Sequence, residues 1–204
     1  MRKTFIASDL HLNPGEPVPP VVVRFAELAK VADAQIVLAG DIFNELPHGL
    51  KAWQTPEGKY TIAEYERVFP YVVRIQGNHD PMVWLREFAL GNNLILHGHQ
   101  FTEWQFLGLV APGFTEFMVR HFPKQWYGFS KRMGWIPSKW QTTIPGKELD
   151  NYHKVLNYVW AEALGEAQQR SVRIIMGHTH HVATLLAGSE VWDCGDLRDG
   201  SYIK

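Results

Sequence analysis

Short apolar runs alternate along the chain with longer stretches of helical spacing. Phe5-Ile6-Ala7 predicts a buried strand that ends at Ser8-Asp9, and Ile36-Val37-Leu38-Ala39 predicts a second, stopped by Gly40-Asp41. Between them, Val21 to Val31 carries apolar residues near i, i+3 and i+4 behind a proline-rich lead, the pattern of a helix. The same reading predicts a helix over Ile62 to Phe69 and an extended run over Val72 to Ile75. A further helix is expected over Pro81 to Leu90, with proline in its first turn. Leu94-Ile95-Leu96 is another strand, ending at His97. Residues 101–147 have no clean period, and Leu149 to Gln168 is a long amphipathic helix. Strands return at Val172–Met176, Val182–Leu186, Val191–Cys194 and Ser201–Ile203. Apolar strands separated by helices predict an α/β layered fold, and no repeat or low-complexity tract divides residues 1–204.

Five of the predicted strands run directly into polar residues. These are Asp9-Leu10-His11, Gly40-Asp41, Gly77-Asn78-His79-Asp80, His97-Gly98-His99 and Gly177-His178-Thr179-His180. Each segment alone is ordinary, since Gly-Asp after a strand is common turn chemistry. Five in one chain, each at a strand end, point to one shared site, because open α/β sheets collect ligands beyond the carboxyl ends of their strands. Composition sharpens this. The chain has ten histidines, and seven of them (His11, His79, His97, His99, His178, His180 and His181) lie in or beside these segments. Carboxylates and imidazoles suit divalent first-row ions, whereas the single cysteine, Cys194, excludes both a disulfide framework and a thiolate zinc site. The start, Met1 to Ser8, lacks the apolar stretch of about 7–15 residues of a signal peptide, and no run of about 20 suits a membrane span. The expected location is cytoplasmic, with peripheral membrane contact left open.

With these motifs the chain resembles the calcineurin-like metallophosphoesterases. Their signature of D-x-H, G-D, G-N-H-D/E, an H-G-H-type segment and G-H-x-H is matched in order across residues 9–180. The resemblance implies a four-layer αββα sandwich holding two divalent metal ions at its strand edge. One ion would be held by Asp9, His11, Asp41 and His180, the other by Asp41, Asn78, His97 and His178, with Asp41 bridging. His97 rather than His99 is the expected ligand, and His99 would then lie beside the metals or near substrate. His79 would contact substrate and act as the catalytic acid. Asp80 is expected to cap the helix at Pro81, or else to orient a neighbour. Manganese is the expected metal, with Fe, Zn, Ni and Mg as alternatives. The implied reaction is hydrolysis of a phosphoester or pyrophosphate by a metal-bridging hydroxide.

The formal charge of −1 hides a local imbalance. Residues 117–147 contain Arg120, Lys124, Lys131, Arg132, Lys139 and Lys147 and no Asp or Glu, a local charge of +6. Residues 101–160 also hold 14 of the 26 aromatics and five of the eight tryptophans. We therefore expect a helical, aromatic and basic cap at about 101–165, with Arg120, Lys124, Lys131 and Arg132 as candidate substrate contacts. Apolar and cationic surface together suit a phosphorylated small molecule or a lipid-linked substrate at a membrane face. Single-stranded nucleic acid is a less favoured partner. A cap placed here is similar to that of the UDP-2,3-diacylglucosamine hydrolases, which carry Arg where this chain has His79. A nuclease or nucleotide phosphodiesterase is the other enzymatic alternative. A non-enzymatic scaffold is the remaining one, and the complete ligand set disfavours it.

Overall fold

The computed structural model describes residues 3–44, 48–80, 84–99, 101, 148–186 and 190–203. Among the described residues, eight strands form two sheets. In the first, β1 (Thr4–Ala7), β2 (Gln35–Ala39) and β3 (Val73–Ile75) run parallel in the order β1-β2-β3. The second contains β4 (Glu87–Leu90), β5 (Asn93–Leu96), β6 (Arg173–Met176), β7 (Val182–Leu186) and β8 (Glu190–Cys194), in the order β4-β5-β6-β8-β7. Its three central strands are parallel, and β4 and β7 close its edges antiparallel. The helices are α1 (Pro20–Val31), the single-turn α2 (Leu50–Trp53), α3 (Pro56–Val68) and α4 (Glu148–Arg170).

Strand periodicity sorts the core into three slabs, and these define the layers. Phe5, Ala7, Ile36 and Leu38 face one way and pack with Val22, Phe25 and Ala29 of α1 and Tyr65 of α3. Their neighbours Ile6, Val37 and Ala39 face the other way and meet Ile95 and Ile175 of the second sheet. The far side of that sheet presents Leu94, Leu96, Ile174 and Met176 to Val159, Ala163 and Ala167 of α4. The result is helix, sheet, sheet, helix: the four-layer αββα sandwich expected from the sequence. Among the described residues no helix is long and apolar enough to cross a membrane.

Three expectations are corrected. The run Pro81 to Leu90 does not continue as a helix: Glu87–Leu90 is strand β4, paired antiparallel with β5. Phe88 and Leu90 point into the slab between the sheets, and Gly91, at φ +59°, turns the chain back. So short an apolar run fits either period, and pairing with a neighbouring strand decided between them. Helix α3 begins at Pro56 rather than Ile62, because Thr55 accepts a hydrogen bond from the Gly58 N–H and Pro56 occupies the first helical position. Ser201–Ile203 is not a strand. It makes an isolated antiparallel bridge from Ile203 to Ile6, after a 3₁₀ turn (Leu197–Asp199) and Gly200 at φ +87°.

Candidate metal centre

The sheets deliver their polar termini to one edge, and the loops there are zipped together by main-chain hydrogen bonds. The N–H groups of Asp9, His11 and Leu12 bond to the carbonyls of Gly40, Asp41 and Ile42 at 2.9–3.0 Å, so the loops after β1 and β2 run side by side. The Gly177 N–H bonds to the His97 carbonyl at 3.1 Å, which joins the loops after β5 and β6. Two side chains then tie loop to loop. Asp41 Oδ1 accepts from the His79 N–H at 2.8 Å, and Asp9 Oδ2 accepts from the His178 N–H at 2.9 Å.

The backbone is strained where these side chains leave it. Seven described non-glycine residues have positive φ, and five of them are Asp9 (57°), His11 (44°), Asp41 (51°), His178 (73°) and His180 (59°). Left-handed backbone costs roughly 1–3 kcal/mol at a residue with a Cβ, and such strain gathers at functional sites. Two glycines are needed beside them. A Cβ on Gly77 would collide with Asp41, and one on Gly177 would collide with Ser8 and Asp9.

Two groups of possible metal ligands result: Asp9, His11 and His180, and Asp41, His97 and His178. In the first, His180 Nε2 is 3.3 Å from both Asp9 Oδ1 and His11 Nε2. In the second, His97 Nε2 is 3.2 Å from Asp41 Oδ2, from Asn78 Oδ1 and from His178 Nδ1. Asp41 Oδ2 also lies 3.8 Å from His11 Nε2, so one carboxylate oxygen stands between the groups. Donor atoms that each bind one ion at about 2.1 Å sit about 3.0–3.4 Å apart, close to the 3.2–3.6 Å separations within these groups. Asp9 Oδ1 is buried and accepts no hydrogen bond. A lone pair in that state is costly unless a cation meets it. The oxygen and imidazole donors, their spacing and this oxygen all fit divalent ions.

The electrostatics agree. Burial opposes ionisation of Asp41, yet the charge and hydrogen bond of His97 outweigh it and hold the carboxyl far below its ordinary range. The same pairing works on His97, which burial would lower but Asp41 pushes up to about 10. Asp9 is likewise lowered, against burial, by the nearby His11 ring, 3.6 Å from its Oδ1, and by the charge of His97. His178 and His99 go the other way, to about 3, through burial and the neighbouring charge of His97. The His97 proton does for two buried carboxylates what a divalent cation between the same atoms would do.

The histidine tautomers are set from behind. His97 Nδ1 donates to the Ala39 carbonyl at 2.8 Å, turning Nε2 toward Asp41. His79 Nδ1 donates to Asn44 Oδ1 at 3.0 Å, and Asn44 in turn donates to Asn13 Oδ1 at 3.0 Å. The His79 ring lies edge-on to His11, with centroids 5.0 Å apart. Asp80 orients neighbouring backbone, while the helix start expected at Pro81 lies outside the described residues. Asp80 is buried, and its carboxylate accepts from the N–H groups of Ile42, Phe43 and Gly77 at 2.8–2.9 Å, pinning the loops on either side of Asp41.

The structure thus brings together Asp9, His11, Asp41, Asn78, His97, His178 and His180, with His79 against them. His99 lies beside them, its ring 5.4 Å from that of His97. Arg120, Lys124, Lys131 and Arg132, with most of the expected cap, fall outside the described residues. Residues that the sequence reading did not single out also reach the site. Thr179 and Asp193 hydrogen-bond at 2.5 Å beneath the His178–His180 loop, Asn44 holds His79, and Asp196 meets His180 at 3.1 Å. Asn44 and Asp196 stand in loops after strands, an address shared with the ligands, but they lack a histidine or a motif to mark them.

No family model matches the chain, and no curated protein matches it. Among solved structures, it is similar to a conserved uncharacterised protein of Streptococcus pneumoniae, a predicted phosphoesterase. The identity is 16%, the TM-score 0.40, and the match covers 96% of this chain and 72% of that one. A likeness of that size carries no functional argument, so function is argued from the side chains.

Proposed function

We propose that the protein is a dinuclear metal-dependent phosphohydrolase that cleaves a phosphoester or pyrophosphate bond. The observation that carries this reading is the position of Asp41 Oδ2, 3.2 Å from His97 Nε2 and 3.8 Å from His11 Nε2, between two groups of ligand atoms. Asp9, His11, Asp41 and His180 would hold one ion, and Asp41, Asn78, His97 and His178 the other. Two divalent ions held so close supply a nucleophile from water at neutral pH and neutralise phosphoryl oxygens, and manganese suits the donor set.

The chain's own residues supply the rest. The Asp80 carboxylate and the zipped loops keep Asp41 and Asn78 in place. His79 keeps its Nδ1–H on Asn44, and as the doubly protonated imidazolium it would hand the Nε2 proton to the departing oxygen, ending as the neutral Nδ1–H ring. The basic, aromatic segment 117–147 is proposed to receive the phosphate and apolar parts of a small or lipid-linked substrate.

The test is metal analysis of purified protein with a chromogenic phosphodiester assay in added Mn²⁺. Two bound ions and metal-dependent turnover are expected. No metal uptake, together with no turnover of any ester, overturns the reading. A panel of a lipid-linked pyrophosphate, a cyclic nucleotide and single-stranded DNA then identifies the substrate class.

A further inference from the structure

His180 is the outermost of the grouped ligands, with 44% of its side chain accessible, against none of His97. A ring so exposed needs something to hold it. His97 is held by a main-chain carbonyl inside the core; His180 is held by a carboxylate. Its Nδ1 lies 3.1 Å from Asp196 Oδ2, while Nε2, on the opposite side of the ring, faces Asp9 Oδ1 and His11 Nε2. A carboxylate oxygen only accepts, so the hydrogen of that bond sits on Nδ1 and the Nε2 lone pair is turned to the ligand group.

Asp196 is itself well anchored. Its other oxygen accepts from the Arg198 N–H at 2.7 Å and caps the 3₁₀ turn. The next residue, Leu197, donates its N–H to the Ser8 carbonyl at 3.1 Å, tying this turn to the end of β1 just before Asp9. This turn thus reaches back to the segment that carries Asp9 and His11.

We propose that Asp196 is a positioning residue for the metal centre: it holds His180 as the Nδ1–H tautomer and thereby sets the affinity of the Asp9, His11 and His180 group for a divalent cation. This rests on the dinuclear reading above. The informative substitution is Asp196→Asn. The asparagine carbonyl can still cap Arg198, which turns its NH₂ toward His180 Nδ1. That nitrogen must then accept, and the ring's hydrogen moves to Nε2, the atom that should bind the ion.

Calorimetric titration with Mn²⁺ should show two ions binding the wild type. In Asp196→Asn one of them should weaken by roughly 10–100-fold, while the other keeps its affinity. The melting temperature of the metal-stripped variant should stay near that of the wild type, because the cap is retained. Independently of any variant, long-range ¹H–¹⁵N spectra of the zinc-loaded wild type should place the hydrogen of His180 on Nδ1. Unchanged affinity for both ions in a folded variant, or a wild-type Nδ1 without hydrogen, overturns this inference alone. Should the variant fail to fold, the wild-type spectrum decides. A wild type that binds no ion overturns the metal-centre reading and this inference with it.

Discussion

The two ligand groups are built from the same residue types but held in different ways. Asp41 and His97 are 2% and 0% accessible, wedged between the ends of both sheets. Asp9 is equally buried, but its partners His11 and His180 are 12% and 44% accessible. The inner group is oriented by main chain and by Asp80, which core packing cannot easily displace. The outer group opens toward solvent and relies on Asp196. In the proposed function the tasks of fixing ions and admitting a substrate would divide between the halves: the inner group would supply rigidity, the outer one access.

The largest expected effect tests whether the halves are joined. Asp41→Ala should remove both ions and reduce hydrolysis to background, measured by elemental analysis after dialysis and by the chromogenic assay. Retention of one ion at full occupancy would show the groups to be independent. Next comes His79, whose Nδ1 is held by Asn44 and which has no metal-holding role in the proposed function. His79→Ala should keep both ions and lose roughly 10²–10⁴-fold in rate on an alkyl ester, with a smaller loss on an aryl ester whose leaving group needs no proton. Equal, undiminished rates on both would sink the acid assignment.

The contrast in burial should also appear in metal-stripped protein. His97→Ala leaves the Asp41 carboxylate buried without its cation and should cost about 3–5 kcal/mol. His180→Ala removes a half-exposed partner and should cost less than about 1 kcal/mol. Urea unfolding of both variants measures the difference, and similar costs would erase the distinction drawn above.

The smallest effect concerns the floor beneath the outer loop. Burial pushes the Asp193 carboxyl from 3.8 up to about 7, against hydrogen bonds from Thr179, Trp160 and the Gly195 N–H. The folded protein therefore keeps a proton that the unfolded chain releases. This group's contribution to stability falls as pH rises from about 4 to about 7, then levels. Asp193→Asn should flatten the urea midpoint over that window; an unchanged slope would refute the assignment.

Much of this was legible beforehand. The runs that became β1, β2, β5 and β6 are continuously apolar and end at glycine or a polar residue, so local pattern and tertiary role agree. The ligand types stood out because histidines rarely crowd strand ends by chance. Glu87–Leu90 misled because its apolar residues fit two periods, and only its antiparallel pairing with the adjacent Asn93–Leu96 decided between them. The orienting role of Asp80 was hidden because its carboxylate bonds to residues 37 and 38 positions earlier, far outside any local pattern. The 117–147 segment showed its composition and charge but no period, so its expected role rests on chemistry alone.

By itself, then, the sequence determined which residues stand at the strand ends and what chemistry they can do, since hydrophobic period and residue type are local properties. Only the tertiary structure decided which of them come within reach of one another. His11 and His180 meet across 169 positions, and His97 and His178 across 81. Sheet order, parallel pairing and left-handed turns set those directions, through contacts that no window of sequence contains. The place of Asp41 between the groups and of Asp196 behind His180 follows from the same geometry.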